Sequence, residues 1–268
     1  MKARGLRAYV WVYLIFLYAP IVLLPLFAFN SGSVIAFPLA DFTTKWFVEL
    51  SRISALHAAV RTSLFIAVVS AVLATTLGVF AAMASTRARF PGQRGIMGFI
   101  MLPLVLPEII VAVALLVVIL RLGLGTGTWA VIAGHVLICT PFTIAILRAA
   151  FASLDASLEE AAQDLGESRL ATFRLVTLPL VIPGIISALL ISFTISMDEF
   201  IIAFFLTGTE PTLPVYLWSM LRFPQQLPAV MALGTILVVL SVLLITVAEY
   251  FRRRGIARAG GQDSGGFL

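Results

Sequence analysis

Residues 62–84 read TSLFIAVVSAVLATTLGVFAAMA, a run without one charged side chain. An α-helix needs about 20 apolar residues to cross a bilayer, and this run meets that length between Arg61 and Arg87. Five further runs share the character: about 8–29, 96–120, 129–147, 180–206 and 229–251. None shows the alternating pattern of a membrane β-strand, so all are expected to be helices. Of the 268 residues 61% are hydrophobic and 12% charged, with a mean hydropathy of +1.09. A soluble domain carries roughly 25% charged residues. The expectation is an all-α membrane protein of six transmembrane helices, with no room for a large soluble domain.

The first run follows Lys2, Arg4 and Arg7, as a secretory signal would, but Phe27-Ala28-Phe29 lacks a small-residue cleavage pattern, so it is expected to stay as an anchor. Lys and Arg beside short loops are retained on the cytoplasmic side. One face collects Lys2, Arg4, Arg7, Arg87, Arg89, Arg94, Arg148, Arg169, Arg174, Arg252, Arg253, Arg254 and Arg258. The other holds Lys45, Arg52, Arg61, Arg121 and Arg222, the remaining five of the eighteen. Both termini are therefore expected in the cytoplasm: residues 1–7 lead into a membrane domain over 8–258, and the Gly-rich tail 259–268 has nothing to bury and is expected to be disordered. The basic clusters account for the net charge of +5 without nucleic acid, and Arg252 to Arg254 can also meet anionic lipid.

Cys139 is alone, which removes an internal disulfide, and only His57 and His135 stand beside it as further zinc-type ligands. His57 is read as a loop residue, and His135 and Cys139 as packing within a span. Gly123, Gly125 and Gly127 mark a tight outer turn.

The cytoplasmic connection 148–179 contains SLEEAAQDLG from Ser157 to Gly166. Ser157 with Glu160 three residues on forms the pattern of a capping box, and Gly166 supplies a left-handed stop. Leu158, Ala161, Ala162 and Leu165 share one stripe of the short helix between them. So short a helix does not persist alone in water. Two partners satisfy it: the protein's own cytoplasmic ends, or a separate cytosolic subunit with a groove for it. A second helix is expected from Ser168 to about Val176, ended by Leu178-Pro179.

Glu160-Ala161-Ala162, then Gly166, then Val176, Thr177, Leu178 and Pro179 resemble the E-A-A loop of bacterial ABC importer permeases, with Val where Ile is usual. The resemblance implies the six-helix permease fold seen in methionine importers, with the loop as a coupling helix seated in a cleft of an ATPase subunit. Glu160, Ala161, Ala162 and Gly166 would then dock, and Leu178 and Pro179 would be structural. A nucleotide-binding P-loop needs Gly-Lys-Ser/Thr, whereas Lys2 follows Met1 and Lys45 follows Thr44. ATP and its Mg²⁺ are thus expected on a partner chain, and this chain is expected to be no enzyme. Ligand capture likewise falls to a separate protein.

Glu108, Asp198 and Glu199 lie within apolar runs, where a charge costs several kcal/mol unless it meets a partner or a watery cavity. Pro103 and Pro107 predict a broken or kinked helix beside Glu108, a common way of lining a substrate path. Two readings stand for these acids. Glu108 pairs with a buried Arg or stays protonated, and Asp198 and Glu199 mark a helix end; or all three face a ligand. Neighbouring carboxylates repel, and a polycation between them relieves that repulsion, so the second reading points to an organic cation with more than one amine.

Phe42-Thr43-Thr44-Lys45-Trp46, Leu102-Pro103-Leu104-Val105-Leu106-Pro107-Glu108 and Ser192-Phe193-Thr194-Ile195-Ser196-Met197-Asp198-Glu199 resemble the second permease subunit of spermidine/putrescine importers. This implies a polyamine path including Glu108, Asp198, Glu199, Ser196 and Trp46. The partners implied are a second permease in a heterodimer, two ATPase subunits and an external binding protein, in a bacterial inner membrane. Relatives often carry Asp at the position of Glu108 and an Asp-Asp pair, so Glu108 and Glu199 keep the charge with a longer reach. Trp46 offers an ammonium its ring face, or else anchors the chain at the interface. Rival readings are a proton-coupled transporter, an intramembrane aspartyl enzyme, and a scaffold or channel subunit; Asp198 and Glu199 diverge by about 100° on a helix, which disfavours a catalytic dyad.

Overall fold

The computed structural model describes residues 2–88 and 90–258, and among these the chain forms helices joined by loops, with one isolated bridge between Asn30 and Phe42. In chain order the helices are α1 (Lys2–Ala28), α2 (Lys45–Leu50), α3 (Ser54–Arg87), α4 (Gln93–Ile100), α5 (Glu108–Arg121), α6 (Thr128–Ala152), α7 (Ala156–Asp164), α8 (Arg169–Thr172), α9 (Leu178–Asp198), α10 (Ile201–Leu206), α11 (Leu213–Leu221) and α12 (Leu227–Arg258). Among the described residues four helices are long and apolar enough to cross a membrane: Gly5–Ala28, Ser54–Arg87, Thr128–Ala152 and Arg169–Asp198. A fifth is gained if Leu213–Leu221 and Pro224–Leu240 count as one bent span. The tail 259–268 lies outside the described residues.

The chain divides into two compact units, residues 1–54 with 217–268 and residues 55–216. In the first, α12 packs on α1 and α2. The apolar part of α1 is only 6% buried, with Trp11 and Phe16 on its surface. An apolar face that bare calls for lipid or a partner subunit as its solvent. The loop after α1 folds back on itself: Ser31 N–H donates to Asp41 O at 2.9 Å and Thr43 N–H to Phe29 O at 2.9 Å.

In the second unit the core joins α3, α5, α6 and α10 through Ile66, Val111, Ile138 and Leu206. The helix α3 turns a stripe of small residues, among them Ala67, Ser70, Ala71, Ala74 and Gly78, into this interior. Small side chains let backbones approach in lipid, where packing rather than hydrophobicity drives association. The approach is visible at Thr143, whose hydroxyl donates to Ala74 O at 3.0 Å, and a side chain on Gly78 would collide with Thr143.

Several expectations change. The expected third span, 96–120, is broken beside Glu108, as Pro103 and Pro107 predict, and the break is complete. Its pieces are α4, a 3-10 turn at Leu102–Leu104, and α5. Pro107, extended at ψ 128°, separates them, so Glu108 opens α5 instead of sitting midway along a span. The 14 residues of α5 reach about 21 Å, short of the ~30 Å hydrocarbon core. The fifth run likewise splits between α9 and α10 at Glu199 and Phe200. Leu178-Pro179 does not stop the helix before it. A π-turn at Phe173–Thr177 carries α8 into α9, and Pro179 falls in the first turn of α9, where its missing N–H breaks no ladder. His57 is no loop residue: it stands exposed in the first turn of α3.

Candidate functional site

Two regions carry the polar chemistry of the second unit. The first is the connection after α6. Its helix α7 begins two residues earlier than the capping box requires. Asp155 is the cap, accepting the N–H of Ser157 on Oδ1 at 3.0 Å, and the expected Ser157–Glu160 box is not what closes this end. Aspartate caps as well as serine and lies nearer the start. That hydrogen bond holds the Asp155 carboxyl below the usual carboxylate range. At the other end Gly166 has φ +91°. Its N–H donates to Gln163 O at 2.9 Å and that of Glu167 to Ala162 O at 3.1 Å, the paired bonds of a Schellman stop. Glu160, Ala161 and Gly166 are exposed and Ala162 half-buried. Leu158 and Leu165 are exposed as well, at 47% and 87%, so the described residues leave most of the apolar stripe of α7 uncovered.

Glu159 behaves differently from its neighbour. Its Oε1 accepts the Thr177 hydroxyl at 2.7 Å, and its Oε2 lies 3.0 Å from Arg87 Nε. Thr177 is buried at the base of α9, and Arg87 ends α3. The Arg87 N–H does not point along the line to the carboxylate, so charge more than a directed hydrogen bond holds this contact. No spacing in the sequence links residues 87, 159 and 177; the nearest signal is Glu159 standing beside the E-A-A pattern.

The second region gathers the acids at helix breaks. Glu108 is exposed at the start of α5, where the helix dipole favours a negative charge. Asp198 is exposed at the last residue of α9. There the dipole and the free carbonyls oppose a carboxylate and favour a cation. Glu199 is buried, and its Oε1 accepts the N–H of Ile202 at 2.8 Å, closing the first turn of α10. Glu108 and Glu199 each stand at the start of a half-helix. The helices that follow, α5 and α10, pack side by side, and Leu206 O at the end of α10 accepts the N–H of Gly127 at 2.8 Å in the glycine turn after α5. Two half-helices thus run from a pair of glutamates toward one turn.

Two further residues expected on the path have partners within the chain. Ser196 is buried and its Oγ lies 2.7 Å from His135 Nδ1. Cys139 Sγ donates to Ser192 O at 3.6 Å, so His135 and Cys139 sit within packing, as expected. Trp46, in the first unit, is buried; its indole N–H donates to Asn30 O at 2.7 Å. Lys45 Nζ already lies 4.4 Å from the centre of that ring while donating to Ser31 O at 2.8 Å. The ammonium over Trp46 is the chain's own. Among the described residues no His, Cys, Asp and Glu cluster is placed to hold a metal ion.

Residues 74–256 match the family model described as the inner membrane component of binding-protein-dependent transport systems. The spermidine/putrescine transport system permease protein PotC of Escherichia coli K12 is 35% identical over 239 residues, covering 89% of this chain and 90% of the relative. The putrescine transport system permease protein PotI of the same organism is 36% identical over 260 residues, covering 91% and 92%. Among solved structures, a bacterial ABC transporter that imports the acidic polysaccharide alginate superposes with a TM-score of 0.73 at 20% identity, covering 94% of this chain and 96% of that one. An amino acid ABC transporter crystallised with histidines gives 0.57 at 16% identity, covering 80% and 100%. These structures share the fold.

Proposed function

Because the chain belongs to the binding-protein-dependent transport system inner membrane components, multi-pass proteins of the bacterial inner membrane, we propose that it is a permease subunit of an ATP-driven polyamine importer. The observation that carries the substrate is its identity of 35–36% to PotC and PotI along nearly the full chain. The sign of the ligand is supported by Asp198, an exposed carboxylate at the negative end of α9.

The working unit has six membrane crossings: α1, α3, the broken α4–α5 element, α6, α9 with α10, and α12. Its termini lie in the cytoplasm, on the side of the larger basic cluster. A second permease completes the path, two ATPase subunits bind ATP and Mg²⁺, and an external binding protein delivers substrate. The exposed stripe of α7, with Glu160, Ala161, Ala162 and the stop at Gly166, is the ATPase docking surface. Nucleotide-driven closure of the ATPases moves this helix and turns the cavity outward; hydrolysis lets it return. Glu108, Asp198 and Glu199 stand at the two helix breaks of the cation path, Glu108 and Asp198 exposed to it and Glu199 holding the break as the cap of α10, while Trp46 and Ser196 are structural, each engaged by internal bonds.

Uptake of radiolabelled spermidine and putrescine by the complex in liposomes tests this. Uptake requiring ATP, the ATPase subunits and the binding protein supports it. Downhill uptake at full rate without nucleotide selects a secondary transporter, and ATP-dependent import of other solutes with no competition by di- or triamines rejects the polyamine assignment.

A further inference from the structure

We propose that Glu159, the acid next to the docking surface, is the positioning residue that divides the movement of α7 between the two helix breaks. The proposal rests on the importer reading above and adds to it the route inside this chain. Leu158, Glu160 and Ala161 of α7 are exposed, while Glu159 turns inward and uses both carboxylate oxygens on other elements. On Oε1 it holds Thr177, at the π-turn that feeds α9. That helix runs from there without interruption to Asp198. On Oε2 it holds Arg87 at the end of α3. Two residues earlier Ser85 O accepts Gln93 Nε2 at 2.8 Å, which ties the start of α4 to the same corner. Helix α4 then leads through the 3-10 turn to Glu108.

A single carboxylate therefore bridges the base of both routes that end at an acid. Among the described residues Glu159–Arg87 is the one ion pair, and both side chains are mostly shielded, Glu159 19% and Arg87 24% exposed, so water screens it less than a surface pair. An acid at this place does what Glu160 cannot: Glu160 meets a partner, whereas Glu159 makes α7 move as one piece with α3 and α9.

The test uses the full complex in liposomes and reads spermidine taken up per ATP hydrolysed. Glu159→Gln keeps an acceptor for Thr177 and removes the charge facing Arg87. It is expected to lower that ratio about fivefold to tenfold, the span of a modest coupling energy, with ATP hydrolysis retained. Arg87→Glu is expected to do the same. The exchange Arg87→Glu with Glu159→Arg is expected to recover at least about half of the lost ratio, while ATP hydrolysis by the assembled complex stays near wild type in all three variants, which a merely structural role would not give. An unchanged ratio in Glu159→Gln overturns the proposal. If that variant does not assemble, the exchange variant decides: an assembled exchange complex with a restored ratio supports the pair, and one that hydrolyses ATP without uptake, or that also fails to assemble, overturns it. Nucleotide-independent uptake by the unaltered complex would instead reject the importer reading itself.

Discussion

Glu199 accepts the backbone N–H of Ile202 at 2.8 Å, one residue after Asp198 ends α9 with its carboxylate exposed. Two adjacent acids therefore have opposite work. Glu199 satisfies the donor end of a helix, and Asp198 adds negative charge to an acceptor end.

Asp198→Asn is expected to lower kcat/KM for polyamine uptake about tenfold, the effect of losing ~1.4 kcal/mol of charge contact. Glu199→Gln, whose amide oxygen still accepts the Ile202 N–H, should assemble normally, whereas Glu199→Ala leaves that donor open and should cost about 1–2 kcal/mol of stability. Initial uptake rates beside thermal unfolding of the detergent-purified protein separate the two; equal uptake losses in Asp198→Asn and Glu199→Ala with equal destabilisation would contradict the division.

Gly166→Ala tests the stop of α7. A Cβ there meets nothing within 4 Å, but φ is +91°, which costs an L-residue roughly 1–2 kcal/mol. The substitution should weaken capture of the ATPase subunit in pull-down while leaving membrane insertion intact. Retention equal to wild type would mean that the end of α7 is not part of the contact.

Gly134→Ala should destabilise the core by about 1–3 kcal/mol, because the added carbon runs into Ile202 and Leu206. Gly98→Ala, with nothing within 4 Å, is the control and should leave the melting temperature of the purified chain near wild type. Matching melting temperatures for the two variants would refute the close approach of α6 and α10.

Asp155 gives a pH signature. Its folded carboxyl is held below the ordinary range by the Ser157 N–H, so its stabilisation of α7 is present above the unfolded pKa and is lost as pH falls through the lower, folded one. Hydrogen exchange in α7 should therefore show no cap-dependent change between about pH 5 and 8 and faster exchange only below about pH 4. Asp155→Ala should exchange fast throughout. Fraying near neutral pH in the wild type would argue against this cap.

Apolar runs, basic flanks and the Ser157–Gly166 segment were readable because each follows from short-range order: a bilayer demands length, a helix end demands particular residues, and a left-handed stop demands glycine. Pro103 and Pro107 announced a break near Glu108 for the same local reason, since a missing N–H acts on its own turn. The sequence did not distinguish Glu159 from Glu160, or Asp155 from Ser157 as the cap, because neighbours of like chemistry compete for one task and only their surroundings choose. Nor did it show Ser196 against His135 or Lys45 over Trp46. Those pairings depend on where α6 meets α9 and how the loop after α1 turns back, and a side chain's partner across such a contact is set by packing in three dimensions.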